Sequence, residues 1–399
     1  MQYRENHRNG EMLSQLGFGC MRFPRKAGRI DQEKTEGLIA AAIECGINYF
    51  DTAYIYPGAE EALGKAIEKT GKRNDVYIAT KLPHYMCNKA EDFNQVFSKQ
   101  LERLRTKWVD YYLIHMLSNT EAWDRLKSYG IEQWIDNLRA EGTIRNVGFS
   151  FHGSCDGFIE LLDAYSWDFC MVQYNYYDEN DQAGSRGVRA AYDKGISVFV
   201  MEPLRGGMLA DDLPDDAKNV FSGLNKDRTP ADWALRWLFD QQEVTMVLSG
   251  MSDIAQLEEN TTVANEALPG MMGDAERAVY SEVIAALDKT KKIPCTACGY
   301  CIPCPNGVDV PSCFSCYNTS RRFGRITGIK QYVQVTGQWS PQRSDASNCV
   351  KCGICEKQCP QNIHIADELA VVRRRLWSFV VVPAMSLMRN LWGIKKTNH

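Results

Sequence analysis

Between residues 16 and about 260, short apolar runs alternate with helix-patterned stretches. "LGFGCM" (16–21) precedes a helical stretch at 31–45, "INYFD" (47–51) precedes 58–70, and "DVYIAT" (75–80) precedes 91–104. "VDYYLIH" (109–115) leads into 131–141, "IRNVGFS" (144–150) into 154–163, and "DFCMVQ" (168–173) into 186–194. "ISVFVM" (196–201) and "VTMVLSG" (244–250) precede 230–240 and 253–260. The runs are rich in β-branched and aromatic residues, as strands buried on both faces require. A helix between every two strands makes the sheet parallel with right-handed crossovers. Eight such units in about 250 residues predict an α/β fold, a (β/α)8 TIM barrel. A doubly wound open sheet is the alternative, and no Gly-x-Gly-x-x-Gly opens the first helix to favour it.

A further helix is expected at 274–290. Beyond it the composition changes, because ten of the fifteen cysteines lie between Cys295 and Cys359. Three regions follow: a barrel over 1–290, a cysteine-rich ferredoxin-like domain over 291–370, and an amphipathic tail over 371–399. The tail holds an apolar stretch, Leu376–Met388, too short to span a bilayer and interrupted by Pro383. It reads as a helix packed on protein or on a partner, with an interfacial membrane helix flanked by Arg373–Arg375 as the alternative. A net charge of −4 excludes a strong nucleic-acid field. The N-terminal "MQYRENHRNG" lacks an apolar signal core, so a cytoplasmic location and reduced thiols are expected.

Barrel enzymes carry their chemistry at the C-terminal ends of the strands. There the sequence offers Asp51 and Tyr56 after the second run, Lys81 after the third and His115 after the fourth. Singly, each has a bland role as a helix cap, a surface ion pair or a core histidine. Jointly they suit reduction of a carbonyl. A nearby ammonium is expected to lower the pKa of a tyrosine that serves as proton donor, a carboxylate holds the lysine, and a histidine orients the carbonyl oxygen.

The segments "DTAYIY", "IATK" and "YYLIH" resemble the aldo-keto reductases over roughly residues 10–290. The resemblance implies that Tyr56 is the general acid, that Lys81 and Asp51 tune it and that His115 positions the carbonyl. It implies NAD(P)H as cofactor and a small carbonyl or alcohol as substrate. Ser150 and Gln173 would hold the nicotinamide carboxamide. Pro203, Leu204 and Gly206 of "PLRGGML" would cover the pyrophosphate, with Gly250 and Asn260 beyond the eighth strand completing the nucleotide site. Departures are visible. Phe151 follows Ser150 where the family usually has Asn, and Met201 stands where a tyrosine commonly stacks on nicotinamide. Gly250 and Gln256 occupy the places of a Lys and an Arg that grip the 2′-phosphate.

Two cysteine runs follow the barrel. The first is Cys295-x2-Cys298-x2-Cys301-x2-Cys304-Pro305, and the second is Cys349-x2-Cys352-x2-Cys355-x3-Cys359-Pro360. The second matches the bacterial ferredoxin run, in which three thiolates hold one [4Fe–4S] cluster and the fourth crosses to the next. By that rule Cys295, Cys298, Cys301 and Cys359 hold one cluster, and Cys304, Cys349, Cys352 and Cys355 the other. Zinc is the alternative, but it needs four ligands where eight are present. "CFSC" (Cys313, Cys316) could substitute or stay free.

The two halves together resemble an iron–sulfur subgroup of aldo-keto reductases. A redox partner such as a ferredoxin is implied. Joining one-electron clusters to hydride chemistry normally needs a converter such as a flavin, for which no sequence feature is visible. The alternative function is an electron-transfer or redox-regulatory protein whose barrel is a nucleotide-binding docking platform. The 208–228 loop reads as a mobile lid.

Overall fold

In a computed structural model, which describes residues 1–289, 292–295, 297, 299–337, 343–359 and 361–377, eight parallel strands close into a barrel. They are β1 (Leu16–Gly19), β2 (Tyr49–Asp51), β3 (Tyr77–Leu82), β4 (Val109–Leu117), β5 (Ile144–Phe151), β6 (Phe169–Gln173), β7 (Ser197–Met201) and β8 (Val244–Ser249). The ring closes where β8 pairs with β1, Val247 opposite Leu16. A helix follows each strand, ending with Ile254–Glu266 after β8. Side-chain caps start several of these helices: Asp31, Ser154, Thr229 and Asp253 each accept a bond from the first turn.

The period of two along each strand sorts the residues between two cores. Outward Phe18, Phe50, Ile78, Tyr112 and Ile114 pack under the helices. Inward Tyr49, Ala79, Tyr111, Leu113, Phe169, Met171, Phe199 and Met246 fill the barrel. Tyr49 meets Tyr111 and Phe199 edge-on, with ring centroids 5.1 and 5.3 Å apart. Gly17 is inward too. A Cβ there would lie 2.8 Å from both Leu248 Cδ2 and Met246 Sδ, so a larger residue would have to displace these core side chains.

Several elements were not expected. A hairpin of Tyr3–Glu5 and Met12–Ser14 carries Leu13 into the inner core, and the adjoining Asn6 donates to the Tyr111 hydroxyl. Three-residue strands are too short to show a period in sequence. The 208–228 segment is not a bare lid. It contains a helix, Asp215–Leu224, whose Phe221 stacks on Trp233 with centroids 5.1 Å apart and packs with Tyr280 of the Asp274–Asp288 helix. Another inserted helix, Thr120–Ser128, buries Trp123 and Leu126.

Beyond the barrel, the helices Val310–Arg322, Arg325–Val335 and Ile365–Leu376 share a separate core that includes Phe314, Tyr332, Val335, Leu369 and Val372. The first two cross closely. A Cβ on Gly328 would sit 2.2 Å from Ser320 Cβ. The last helix runs through the expected boundary at 370/371, because Val372 and Leu376 are buried in this core. The rest of the expected tail, 378–399, lies outside the described residues. Among the described residues no helix is long and apolar enough to cross a membrane.

Candidate active site and cluster domain

Strand parity builds the rim. Tyr49, Tyr111, Leu113, Phe169, Met171 and Phe199 point into the barrel. Two residues further along the same strands, Asp51, His115, Gln173 and Met201 therefore point into its mouth, and Lys81 follows Ala79 in the same way. Lys81 Nζ donates to Asp51 Oδ1 and, at 2.7 Å, to the Thr52 carbonyl. Tyr56 arrives from the β2 loop. Its N–H donates to Ala53 O at 3.0 Å and its carbonyl accepts from Ala59 N at 3.0 Å, which pins the loop on both sides. Lys81 Nζ lies 5.3 Å from the Tyr56 ring centroid, and the His115 ring meets Tyr56 edge-on at 6.2 Å. All four predicted catalytic side chains therefore share one site.

The electrostatics corrects one expectation. The Tyr56 phenol is pushed well up rather than lowered, first by burial, then by the charges of Asp51 and Glu202. Desolvation of the phenolate outweighs the nearby ammonium, so Tyr56 keeps its proton. Burial, and then Lys81, His152 and His84, hold His115 well below the usual imidazole range. His115 is neutral, and its Nδ1 has no partner among the described residues. Asp51 is raised by burial, an effect that Lys81 offsets only in part. Cys20 is fully buried beside this pair, and burial pushes its thiol up. Cys87 lies behind the rim, bonded to Pro83 O.

The expected nucleotide residues divide. Ser150 Oγ, buried at the end of β5, accepts from Met116 N at 2.8 Å. Gln173 Nε2 donates to Asp178 Oδ2 at 3.0 Å. Pro203 is buried, and Leu204 packs against the side core around Phe221. Gly206 and Gly250 face one another across Arg22: a Cβ on either would lie 2.9 Å from its Nη2 or 3.1 Å from its Cδ. Asn260 is turned inward and donates to Ser249 Oγ at 3.0 Å. Gln256 accepts from Ser252 N at 2.8 Å. Phe151 faces the outer core.

Sequence reasoning missed Glu202, Arg205, Asp178 and His152. Met116, Glu202 and Arg205 are non-glycine residues in left-handed conformation, gathered at strand ends around the mouth. His152 Nδ1 pairs with Gln182 Oε1 at 3.0 Å, and its Nε2 with Gln334 Nε2 of the cluster domain at 2.8 Å. Arg205 and His152 gain their roles from partners distant in sequence, and the loop that turns Asp178 back onto Gln173 carries no pattern that marks it.

In the cluster domain, Cys295, Cys301 and Cys359 line one small cavity with Val310, Phe314, Ile363 and Ile365. Cys304 and Cys349 act electrostatically on Cys355, raising its thiol after burial has done so. Soft thiols around an apolar cavity suit an iron–sulfur cluster. Cys352 is exposed, and Cys298 lies outside the described residues. Among the described residues no three His, Cys, Asp or Glu side chains are arranged to hold a single metal ion. Cys313 and Cys316 are fully buried on a helix, where burial pushes both thiols up. They behave as core residues.

Comparisons with known proteins agree with this geometry. An L-galactose dehydrogenase of Arabidopsis thaliana is 27% identical over 304 residues, covering 71% of this chain and 93% of the relative. An NADH-specific methylglyoxal reductase of Escherichia coli is 25% identical, covering 69% and 96%. The holo form of an aldo-keto reductase from Bacillus halodurans superposes with a TM-score of 0.60 at 27% identity, covering 71% of this chain and 96% of that one. A Klebsiella pneumoniae aldo-keto reductase shares the fold, with a TM-score of 0.58 at 21% identity and coverage of 71% and 95%. The aldo/keto reductase family model matches residues 15–275, and a 4Fe-4S dicluster domain matches 294–364. The chain belongs to the aldo/keto reductase family, an oxidoreductase barrel followed by a 4Fe-4S dicluster domain.

Proposed function

We propose that this protein interconverts a small carbonyl compound and its alcohol with a nicotinamide cofactor, and that its clusters exchange single electrons with a redox partner. The observation that carries the reading is the Lys81 ammonium, fixed between Asp51 and the Thr52 carbonyl beneath a protonated Tyr56. Bound nicotinamide supplies hydride to the carbonyl carbon. Tyr56 donates its phenolic proton to the carbonyl oxygen, and Lys81 stabilises the phenolate left behind. Neutral His115 orients that oxygen beside Tyr56. Ser150 and Gln173 hold the carboxamide of the nicotinamide, and the 203–206 loop covers the nucleotide. The names of the relatives, a methylglyoxal reductase and a galactose dehydrogenase, support a small polar substrate.

In the same reading, Cys295, Cys298, Cys301 and Cys359 hold one cluster, and Cys304, Cys349, Cys352 and Cys355 the other. Bound clusters supply one-electron steps. The test is Tyr56→Phe in iron-replete protein. Turnover with methylglyoxal and NAD(P)H falls by roughly 10²–10⁴-fold, while nucleotide affinity stays the same. Turnover at the wild-type rate would overturn the assignment of Tyr56.

A further inference from the structure

Arg205 lies in the loop that should cover the pyrophosphate, yet its side chain is only 4% exposed and points away from solvent. Its Nε donates to Asp178 Oδ2 at 3.0 Å. The same oxygen accepts from Gln173 Nε2 and Asn175 Nδ2, each at 3.0 Å. On its other side, Arg205 Nη2 reaches Ser315 Oγ of the cluster domain at 3.5 Å, and that hydroxyl donates to Asp181 Oδ2 at 3.1 Å. The guanidinium also lies 5.2 Å from the Tyr177 ring centroid, with Arg322 of the cluster domain 5.4 Å from the same ring. Arg322 Nη1 donates to the Tyr177 hydroxyl at 3.0 Å. Arg205, Tyr177, Ser315 and Cys295 line one pocket of about 250 Å³ between barrel and cluster domain.

We propose that Arg205, anchored by Asp178, is a positioning residue that joins the nucleotide site to the cluster held through Cys295. The proposal rests on the nicotinamide and cluster assignments above. Two consequences follow from the geometry. Because the Gln173 amide donates to Asp178, its Oε1 is left to accept from a carboxamide N–H₂, and Arg205 fixes the carboxylate that sets this orientation. A buried positive charge on the wall shared with Cys295 favours the extra electron of a reduced cluster there. The other thiol group, Cys304 with Cys349 and Cys355, does not line that pocket.

The test uses the full chain, purified anaerobically with its iron. Binding of NADP⁺ and of 2′-phospho-ADP-ribose, which lacks the nicotinamide, is followed by tryptophan fluorescence. Cluster potentials are followed by redox titration with electron paramagnetic resonance. In Arg205→Gln, affinity for NADP⁺ falls about tenfold, the scale of a lost charge-assisted bond, while 2′-phospho-ADP-ribose binds as before. One midpoint potential moves to a more negative value and the other stays. Arg205→Lys restores the potential without restoring NADP⁺ affinity, since one ammonium cannot bridge Asp178 and Ser315. Asp178→Asn gives the same selective loss of NADP⁺ binding should the Arg205→Gln protein fail to fold. Equal weakening of both ligands would make Arg205 a direct phosphate contact and overturn the proposal, as would unchanged affinities and potentials. If the wild-type protein binds neither of these ligands and also binds neither NAD⁺ nor ADP-ribose, the nicotinamide reading itself falls, a result distinct from either.

Discussion

At the barrel mouth, Asp51, Lys81, His115, Ser150 and Gln173 each come from a different strand, and hydrogen-bonded neighbours fix every one of those strands. In the cluster domain, the described residues from 292 to 309 form no helix or strand. The thiols of Cys295, Cys301 and Cys304 stand on turns and loops beside a core shared by three helices. The first arrangement is preorganised by the sheet whether or not a cofactor is bound. Among the described residues few backbone hydrogen bonds hold the second, the stretch from 292 to 309, so bound metal is expected to supply much of its order. A rim built on strands tolerates loss of its ligand, and a loop built on thiolates does not.

Iron removal is the strongest way to break that contrast. Chelation under reducing conditions should abolish the cooperative unfolding transition of the cluster domain and leave that of the barrel within a few degrees, read by calorimetry and far-ultraviolet circular dichroism. A single transition in both the iron-loaded and iron-free protein would show that the two regions fold as one unit, and the contrast would be lost.

Next in size is Lys81→Met. Removing the ammonium leaves Asp51 buried without its partner, and breaking such a pair costs about 3–5 kcal/mol. The barrel transition should drop accordingly and turnover should fall by roughly 10³-fold or more, while iron content is unchanged. Loss of iron in this variant would mean that the rim and the clusters are not independently held.

The same contrast explains what could be read from the sequence. The strand runs and three of the four candidate catalytic residues, Asp51, Lys81 and His115, were legible because a barrel obeys a period of two, and Tyr56 was legible from its place just after a strand end. Once Tyr111 and Leu113 face inward, His115 must follow. The candidate cluster thiols were legible because they are closely spaced in sequence. Arg205 and His152 were not, since their partners Ser315 and Gln334 come from the other domain, and Asp178 was not, since the loop after β6 carries no period that would turn it back onto Gln173. The direction of the Tyr56 shift was misread for a related reason. The charge of Lys81 is visible in a motif, whereas the burial that outweighs it belongs to the assembled mouth. The helix ending at Leu376 was cut at 370 because the cysteine pattern stops before the core does.

The smallest effect expected lies at the seam between the two regions. Burial, and then the charge of Asp178, push the Asp181 carboxyl from 3.8 up to about 7. The folded protein therefore holds this proton to higher pH than the unfolded chain does. The stabilisation is complete below about pH 4, is lost as pH rises toward 7, and is level above that. His152, at the same seam, has the opposite sign. Burial lowers it from 6.5 to about 4, so its contribution is lost as pH falls through that window. In wild-type protein the two partly cancel between pH 5 and 7. Asp181→Asn removes only the first. Its stability to denaturant, followed by cluster absorbance, should therefore rise from pH 5 to 7 more steeply than wild type and exceed it at pH 8. An identical pH profile for the two proteins would mean that Asp181 is not buried at this seam in solution, and that the barrel and the cluster domain meet through Tyr177, Arg205 and His152 without it.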